Sequence, residues 1–164
     1  WLAGERTSGE AVRLICRVFD GDGLPVPDAM LEVWQANAEG KYNHPEDTQP
    51  KPIEPAFRGF GRLPTAEDGS CVFQTIKPGR VPGEGNRMQA PHLNISIFAR
   101  GLLVRLTTRM YFAGDPANTE DPVLSLVPEA RRQTLMAQPD PAARDVWRWD
   151  IRLSGDEETV FFEV

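Results

Sequence analysis

The sequence predicts a mostly β protein, an antiparallel or mixed β-sandwich with one short helix and long loops. Short apolar runs that alternate with polar residues recur along the chain, and this period is that of half-buried strands. Fifteen prolines and 14 glycines are scattered between these runs, as in proteins whose short strands are joined by tight turns. Only one segment has the spacing of a helix. We therefore expect about seven strands in a single domain over residues 1–164.

Two strands are predicted near the N-terminus. Residues 11–20 alternate apolar and polar side chains, and Gly21-Asp22-Gly23 then provides a turn. Residues 24–29 are expected to be extended, because their two prolines fix φ. Residues 30–36 are apolar on both faces, which predicts a central strand.

The middle of the chain combines a long loop with two further strands. Residues 37–62 are interrupted by seven glycines and prolines, and their aromatic residues predict an ordered cover over a site or a partner. A strand is predicted at 71–76, followed by a second Gly/Pro-rich loop at 80–88. Residues 89–100 alternate most clearly: apolar side chains occupy positions 93, 95, 97 and 99, while His92 and Asn94 lie on the other face.

The C-terminal part supplies the remaining elements. Residues 102–112 form a long β-rich run. Residues 128–138 are the helix candidate, with Pro128 at its first position and Glu129 in its first turn. Residues 147–153 place alternate apolar side chains on one face, and we expect them to pair with residues 159–164 in a closing hairpin.

Composition excludes several functional classes. The net charge of −6 argues against a nucleic-acid surface, and no apolar run has the length of a membrane span. Nucleophile elbows, phosphate-binding glycine loops, Cys-x-x-Cys pairs and His-Glu-x-x-His motifs do not occur in the sequence. Cys16 and Cys71 lie in separate strand-like runs, so we expect buried free thiols and a reducing, cytoplasmic environment.

The polar residues offer one candidate chemistry, a non-haem iron site. Ferric iron accepts phenolate and imidazole ligands together, and the chain has two tyrosines and two histidines, Tyr42, Tyr111, His44 and His92. A tyrosine placed like Tyr111 is more often a core anchor, and a histidine placed like His44 is more often a solvated loop residue. Tyr42 and His92 are therefore the better candidates.

A series of motifs runs in order along nearly the whole chain. It comprises Arg17-Val18, Gly23, Pro25-Val26, Ala29, Glu32-Val33-Trp34-Gln35-Ala36-Asn37, Gly40, Tyr42, Gly59-Phe60-Gly61-Arg62, Asp68-Gly69, Thr75-Ile76-Lys77-Pro78-Gly79, Ala90-Pro91-His92 and Arg109-Met110-Tyr111-Phe112. This series resembles the pattern of the intradiol ring-cleavage dioxygenases. The resemblance implies a β-sandwich that cleaves aromatic diols with O₂ at an Fe(III) centre held by two tyrosines and two histidines.

The resemblance also implies that this chain has a degenerate iron site. The four ligand positions correspond to Tyr42, Cys71, His92 and Asn94, so two ligands are replaced. An amide oxygen is a poor substitute for imidazole on ferric iron, and a thiolate is a soft ligand. We therefore expect no metal and no catalytic residue in this chain itself, with Fe(III) held by a homologous beta-type subunit of a hetero-oligomer.

Arg100 is the residue for which the resemblance implies a remaining role. Its planar guanidinium suits a carboxylate, so we expect it to line the partner's pocket near the carboxylate of a substrate such as protocatechuate. The alternative is a surface arginine in an ion pair. Two other functions remain open: a self-sufficient iron dioxygenase using Tyr42 and His92, and a non-enzymatic β-sandwich binding module.

Two departures from the family pattern accompany this interpretation. Cys16 replaces a glycine that is usual in the first strand. The chain begins at Trp1 rather than Met and lacks the Thr-x-Gly-Pro-Tyr stretch of the family's front segment, so we expect that an N-terminal segment is missing.

Overall fold

The structure is a computed structural model that describes residues 1–163. The strands of this part of the chain are β1 Ala11–Phe19, β2 Met30–Trp34, β3 Phe60–Pro64, β4 Ser70–Ile76, β5 Val81–Pro82, β6 Met88–Gln89, β7 His92–Phe98, β8 Leu106–Phe112, β9 Met136–Pro139 and β10 Val146–Arg152. Its helices are short 3-10 helices at Glu84–Asn86, Pro116–Glu120, Leu124–Leu126 and Glu129–Leu135.

Eight strands form one continuous sheet in the order β3-β2-β7-β8-β9-β10-β1-β4. Most neighbours are antiparallel, but β8–β9 and β1–β10 are parallel. β9 joins the two halves, since Met136 and Ala137 pair with β8 while Gln138 and Pro139 pair with β10. The inward side chains of both halves share one hydrophobic cluster, so the sheet folds over a common core. This confirms the predicted mixed β-sandwich.

The period-2 alternation that predicted the strands also decides which side chains fill the core. In β7, Leu93, Ile95 and Ile97 are almost completely buried. Val12, Leu14, Cys16 and Val18 of β1 face the same core, and so do Trp149 and Ile151 of β10. β2 lies between β3 and β7, which confirms its predicted central position.

Several element boundaries differ from the prediction. The helix ends at Leu135, because Met136 and Ala137 leave it to pair with Tyr111 and Phe112 as β9. The strand predicted at 102–112 begins only at Leu106, and residues 102–105 form an exposed loop with Leu103 fully accessible to solvent.

Other differences concern loops that were assigned the wrong structure. β3 lies partly inside the stretch predicted to be irregular up to residue 62, and it pairs with β2. The extended interpretation of residues 24–29 is wrong at Asp28, which has a φ of 65°. The closing hairpin is also wrong. Thr159 bonds to Arg152, but Phe162 then crosses to bridge Thr107 of β8, and Val164 lies outside the described residues.

No helix within residues 1–163 is long and apolar enough to cross a membrane.

Candidate functional site

A cleft opens where three neighbouring strands present polar side chains outward. Trp34 at the end of β2 is the cross-strand partner of Asn94 in β7, and Asn94 is in turn opposite Arg109 in β8. The cleft has a volume of about 400 Å³, and Arg105 and Phe162 also line it. The outward face of β7 thus carries the polar side chains, while its inward face belongs to the core.

Tyr42 closes one side of this row. Tyr42 lies in the long loop after β2, and the centroid of its ring is 4.7 Å from that of the Trp34 ring. The Tyr42 hydroxyl accepts a hydrogen bond of 3.0 Å from Nδ2 of Asn94. Burial raises the pKa of Tyr42, although the bond from Asn94 opposes this shift. The phenol is therefore protonated at neutral pH.

Asn94 presents its amide nitrogen, not its oxygen, to Tyr42. The same Nδ2 atom donates to the carbonyl oxygen of Trp34 at 3.2 Å. A carbonyl oxygen only accepts hydrogen bonds, so this contact fixes the orientation of the amide. An amide nitrogen has no free lone pair for a metal, and its hydrogen bond here occupies one lone pair of the Tyr42 oxygen.

His92 is buried two residues before Asn94. Its Nδ1 lies 2.7 Å from the carbonyl oxygen of Ala90, so Nδ1 carries the proton in the neutral ring. Burial, helped by the Arg109 cation, lowers the pKa of His92 to about 4. The imidazole is therefore neutral at physiological pH.

Arg109 is a residue of this cleft that the sequence analysis did not single out. Its Nη1 donates to Oε1 of Gln89 at 2.6 Å, and no ion pair of the described residues involves it. The half-buried guanidinium places a positive charge opposite Asn94, next to the positions expected for an iron site. The signal that could have found it is the alternation of β8, which puts residue 109 on the face of Thr107 and away from the core.

Cys71 does not join this row, so its interpretation as a former ligand position is corrected. Along β4 the buried side chains are Cys71, Phe73, Thr75 and Ile76, and Cys71 belongs to the core cluster opposite Cys16 of β1. The backbone that contacts the Tyr42 loop lies C-terminal to Cys71, in the segment after β4. Gly40 packs against the backbone of Gly79 and Arg80, after the Lys77-Pro78-Gly79 motif rather than before it.

Tyr111 and His44 have the alternative roles that the sequence analysis considered. Tyr111 is completely buried, and its hydroxyl donates to Oδ1 of Asp121 at 3.1 Å. Burial and the Asp121 carboxylate raise the pKa of Tyr111, so it is a neutral core anchor. His44 lies in an exposed part of the loop, 4.0 Å from Glu46.

The donors of the cleft do not fit ferric iron. The protonated Tyr42 phenol is bonded to Asn94 at the border of the cleft and the His92 imidazole is buried beside Tyr111, while Asn94 contributes a donor group and Arg109 a positive charge. Within residues 1–163, no three His, Cys, Asp or Glu side chains cluster as a metal site would require. Hard ferric iron prefers several anionic or neutral oxygen and nitrogen ligands, and this set supplies too few.

Arg100 lies beyond the end of β7, in the loop to β8. Its side chain is 84% exposed, and its Nη2 forms an ion pair of 3.0 Å with Oδ2 of Asp28. This is the surface ion pair that the alternative reading expected. Exposed ion pairs contribute little stability, so the guanidinium can exchange Asp28 for another carboxylate at little cost.

Three comparisons place the chain among known proteins. A family model described as Dioxygenase matches residues 2–155. The protocatechuate 3,4-dioxygenase alpha chain of Burkholderia cepacia is 42% identical over 168 residues, covering 99% of this chain and 82% of the relative. The beta chain from the same organism is 41% identical over 132 residues, covering 79% of this chain and 56% of the relative. Among solved structures, the dioxygenase domain of a carbohydrate-binding fusion protein from Streptomyces sp. SirexAA-E superposes with a TM-score of 0.71 at 28% identity, covering 94% of this chain and 86% of that domain.

Proposed function

We propose that this chain, which belongs to the intradiol ring-cleavage dioxygenase family, is the alpha-type subunit of a protocatechuate 3,4-dioxygenase. The alpha chain of Burkholderia cepacia matches over 99% of this chain, whereas the beta chain of similar identity matches over 79%. The assembled enzyme would insert both atoms of O₂ between the two hydroxyl-bearing carbons of protocatechuate and yield 3-carboxy-cis,cis-muconate. A homologous beta subunit would hold the Fe(III).

The contact between Asn94 and Tyr42 carries the assignment of a subunit without its own iron. The amide donates to the phenol oxygen at 3.0 Å and to the Trp34 carbonyl at 3.2 Å, so two of the groups expected at an iron centre satisfy one another. A chain that needs a partner for its chemistry also needs a surface for it. Leu103 and Val104 are exposed in the β7–β8 loop (residues 99–105), and they support this loop as a contact with the beta subunit.

Co-expression with a beta-type chain tests this function. We expect the two chains to copurify and the complex to consume O₂ with protocatechuate. The isolated chain should bind little iron and lack the visible absorption of ferric tyrosinate. A coloured and active isolated chain would favour the self-sufficient dioxygenase. A chain that copurifies with no iron-bearing partner and supports no turnover would favour the binding module.

Arg100 is proposed to bind the substrate carboxylate in the pocket of the beta subunit. Its support is the exposure of its guanidinium beside the apolar tip of the same loop. Arg100→Ala should raise KM for protocatechuate by about tenfold, the loss of one charge-assisted hydrogen bond, with a smaller effect on kcat. Arg148→Ala is the matched control, because Arg148 is an exposed arginine of β10 that forms an ion pair with Asp140. An unchanged KM in the Arg100 variant would show that Arg100 does not bind the substrate and serves only in its surface ion pair with Asp28.

We further propose that residues 1–164 act as one domain of this assembly and that the assembly is cytoplasmic. Both cysteines are free thiols in the structure, which is consistent with a reducing compartment. Cell fractionation of the producing organism would test the location.

A further inference from the structure

Cys16 and Cys71, the only two cysteines of the chain, lie directly opposite each other on neighbouring strands. Two residues along β1, the amide of Val18 donates to the carbonyl of Gly69 at 2.9 Å. Because hydrogen-bonded and non-bonded pairs alternate along an antiparallel ladder, Cys16 and Cys71 are also a hydrogen-bonded pair. The Cα atoms of such pairs are about 5.5 Å apart, within the range of about 4.4–6.8 Å that a disulfide spans.

Both side chains point to the same face of the sheet. Each belongs to the hydrophobic core cluster, with Cys16 completely buried and Cys71 nearly so. On the other side of β1, Trp149 of β10 is the register partner of Cys16. The register therefore places the two thiols side by side on this face, and neither cysteine belongs to the cleft of Tyr42 and Asn94.

The two thiols are not equivalent. The neighbouring Cys16 thiol lowers the pKa of Cys71, whereas Cys71 and complete burial raise the pKa of Cys16. Cys71 is consequently the better nucleophile, and Cys16 is the thiol that keeps its proton. Cys71 is also the more exposed of the two, at 6% against 0% for Cys16. β4 is the last strand of the sheet, and Cys71 is its second residue, just after the turn at Asp68 and Gly69.

We propose that Cys16 and Cys71 form a reversible oxidation site, in which a peroxide converts the dithiol into a disulfide between β1 and β4. The Cys71 thiolate attacks one oxygen of hydrogen peroxide, giving a sulfenic acid and releasing hydroxide. The Cys16 sulfur then attacks the sulfenic sulfur, and its proton leaves with the displaced hydroxyl as water. In sum, two thiols and one hydrogen peroxide give one disulfide and two waters. The two sulfurs together lose two electrons, and the peroxide gains them.

The disulfide would clamp an exposed edge of the sandwich. Because β4 pairs with only one neighbour, its first residues open more easily than those of inner strands. The same strand leads into Thr75, whose hydroxyl donates to Oε1 of Gln35 at 2.6 Å, and so ties this half of the sheet to the segment after β2. A covalent link at the start of β4 therefore limits opening of the strand that supports the Tyr42 loop.

The experiment treats the full-length chain with hydrogen peroxide under native conditions, then denatures it and alkylates all remaining thiols. We expect the intact mass to fall by two hydrogen atoms, no cysteine to be alkylated, and a single cross-linked peptide that contains residues 16 and 71. Dithiothreitol should restore both thiols. The oxidised chain should melt at a higher temperature, and amides of β4 should exchange more slowly with deuterium.

Single variants separate the two roles. Cys16→Ala should leave Cys71 without a resolving thiol, so peroxide should add oxygen to Cys71 instead of removing hydrogen. Cys71→Ala should leave Cys16 largely unmodified at the same dose. If a variant does not fold, the mass and alkylation pattern of the unaltered chain still decide. Two alkylated cysteines after treatment, oxygen added to Cys71 in the unaltered chain, or disulfide-linked dimers would each overturn the proposal.

Discussion

His92 shows how its surroundings decide what a histidine can do. The sequence places it on the outward face of β7, yet the ring is almost completely buried, with Nδ1 bound to the Ala90 carbonyl and the ring against Tyr111. Arg109 adds a positive charge nearby. Burial and the Arg109 charge both favour the neutral ring, so the contribution of His92 to the stability of the fold depends on pH.

A pH titration of stability tests this description of His92. Its pKa is about 4 in the folded chain and about 6.5 when exposed, so the unfolded chain binds the extra proton first as the pH falls. The contribution of neutral His92 is complete above pH 6.5 and is lost between about pH 6.5 and 4, by up to about 3 kcal/mol. Denaturant titrations at several pH values should show this loss, and His92→Gln should reduce it.

His44 provides the matched control, because it is the only other histidine and lies in an exposed loop. His44→Gln should keep the pH dependence of the unaltered chain. If the His92 and His44 variants show the same dependence, the carboxylates alone account for the acid sensitivity.

At the scale of single residues, the sequence predicted part of the cleft. Tyr42 and Asn94 were expected together and are in hydrogen-bond contact. Cys71 was expected in the cleft but lies in the core. Strand periodicity predicts which residues of one strand share a face, but it does not predict whether that face borders the core or the cleft. Arg109 was missed, because an arginine on the outward face of a strand looks the same in sequence whether it is solvated or lines a cleft.

The loop between β2 and β3 depends on one glycine for its path. Gly40 has a φ of 77°, and a Cβ atom there would collide with the carbonyl oxygen of Arg80. The loop can therefore approach the segment after β4 only because residue 40 has no side chain. Tyr42 lies two residues further on, so this contact helps to bring the phenol to Asn94.

Gly40→Ala should be far more costly than the same change at Gly23. Both glycines have a positive φ, but nothing lies within 4 Å of the Cβ that would be added at Gly23. The conformational cost alone is about 1 kcal/mol at Gly23, and the collision should bring the cost at Gly40 to about 3 kcal/mol or more. Thermal unfolding of the two variants measures the difference. Equal costs would show that the two segments can move apart without strain.

The alternation of apolar and polar residues predicted the long strands well. It did not predict the strands that form mainly because they hydrogen-bond to a neighbouring strand. β3 and β9 are short and their apolar positions are few, so each exists because a neighbouring strand offers hydrogen bonds. The apolar residues of β9 continue the helical spacing that ends at Leu135. The local sequence does not indicate that they instead pair with β8. Such tertiary effects override local propensity.

At the scale of the whole molecule, the β7–β8 loop presents two adjacent apolar side chains to solvent. Leu103 is fully exposed and Val104 is 73% exposed, between the cations Arg100 and Arg105. A chain that remained alone would gain nothing from this exposure. The proposed hetero-oligomer gives these side chains a surface on which to be buried.

Leu103→Asp should weaken the proposed assembly without destabilising the isolated chain. Burying one leucine contributes about 1.5–3 kcal/mol, so the Kd for the beta subunit should rise at least about tenfold. Leu126→Asp is the control, since Leu126 is also an exposed leucine but lies in a 3-10 helix of another region. Titration of labelled subunits measures both. An unchanged Kd for the Leu103 variant would remove this loop from the interface.

The two faces of β7 have a consequence for protein engineering. Leu93, Ile95 and Ile97 hold the interior, while His92, Asn94 and Ser96 stand on the other side of the same strand. Asn94 and Ser96 are only half-buried, so they can be replaced with less disturbance to the inner row than the buried His92. This chain is therefore suitable as an engineering scaffold. New metal-binding side chains could be introduced on the outer face of β7 while the buried residues that determine the fold stay unchanged.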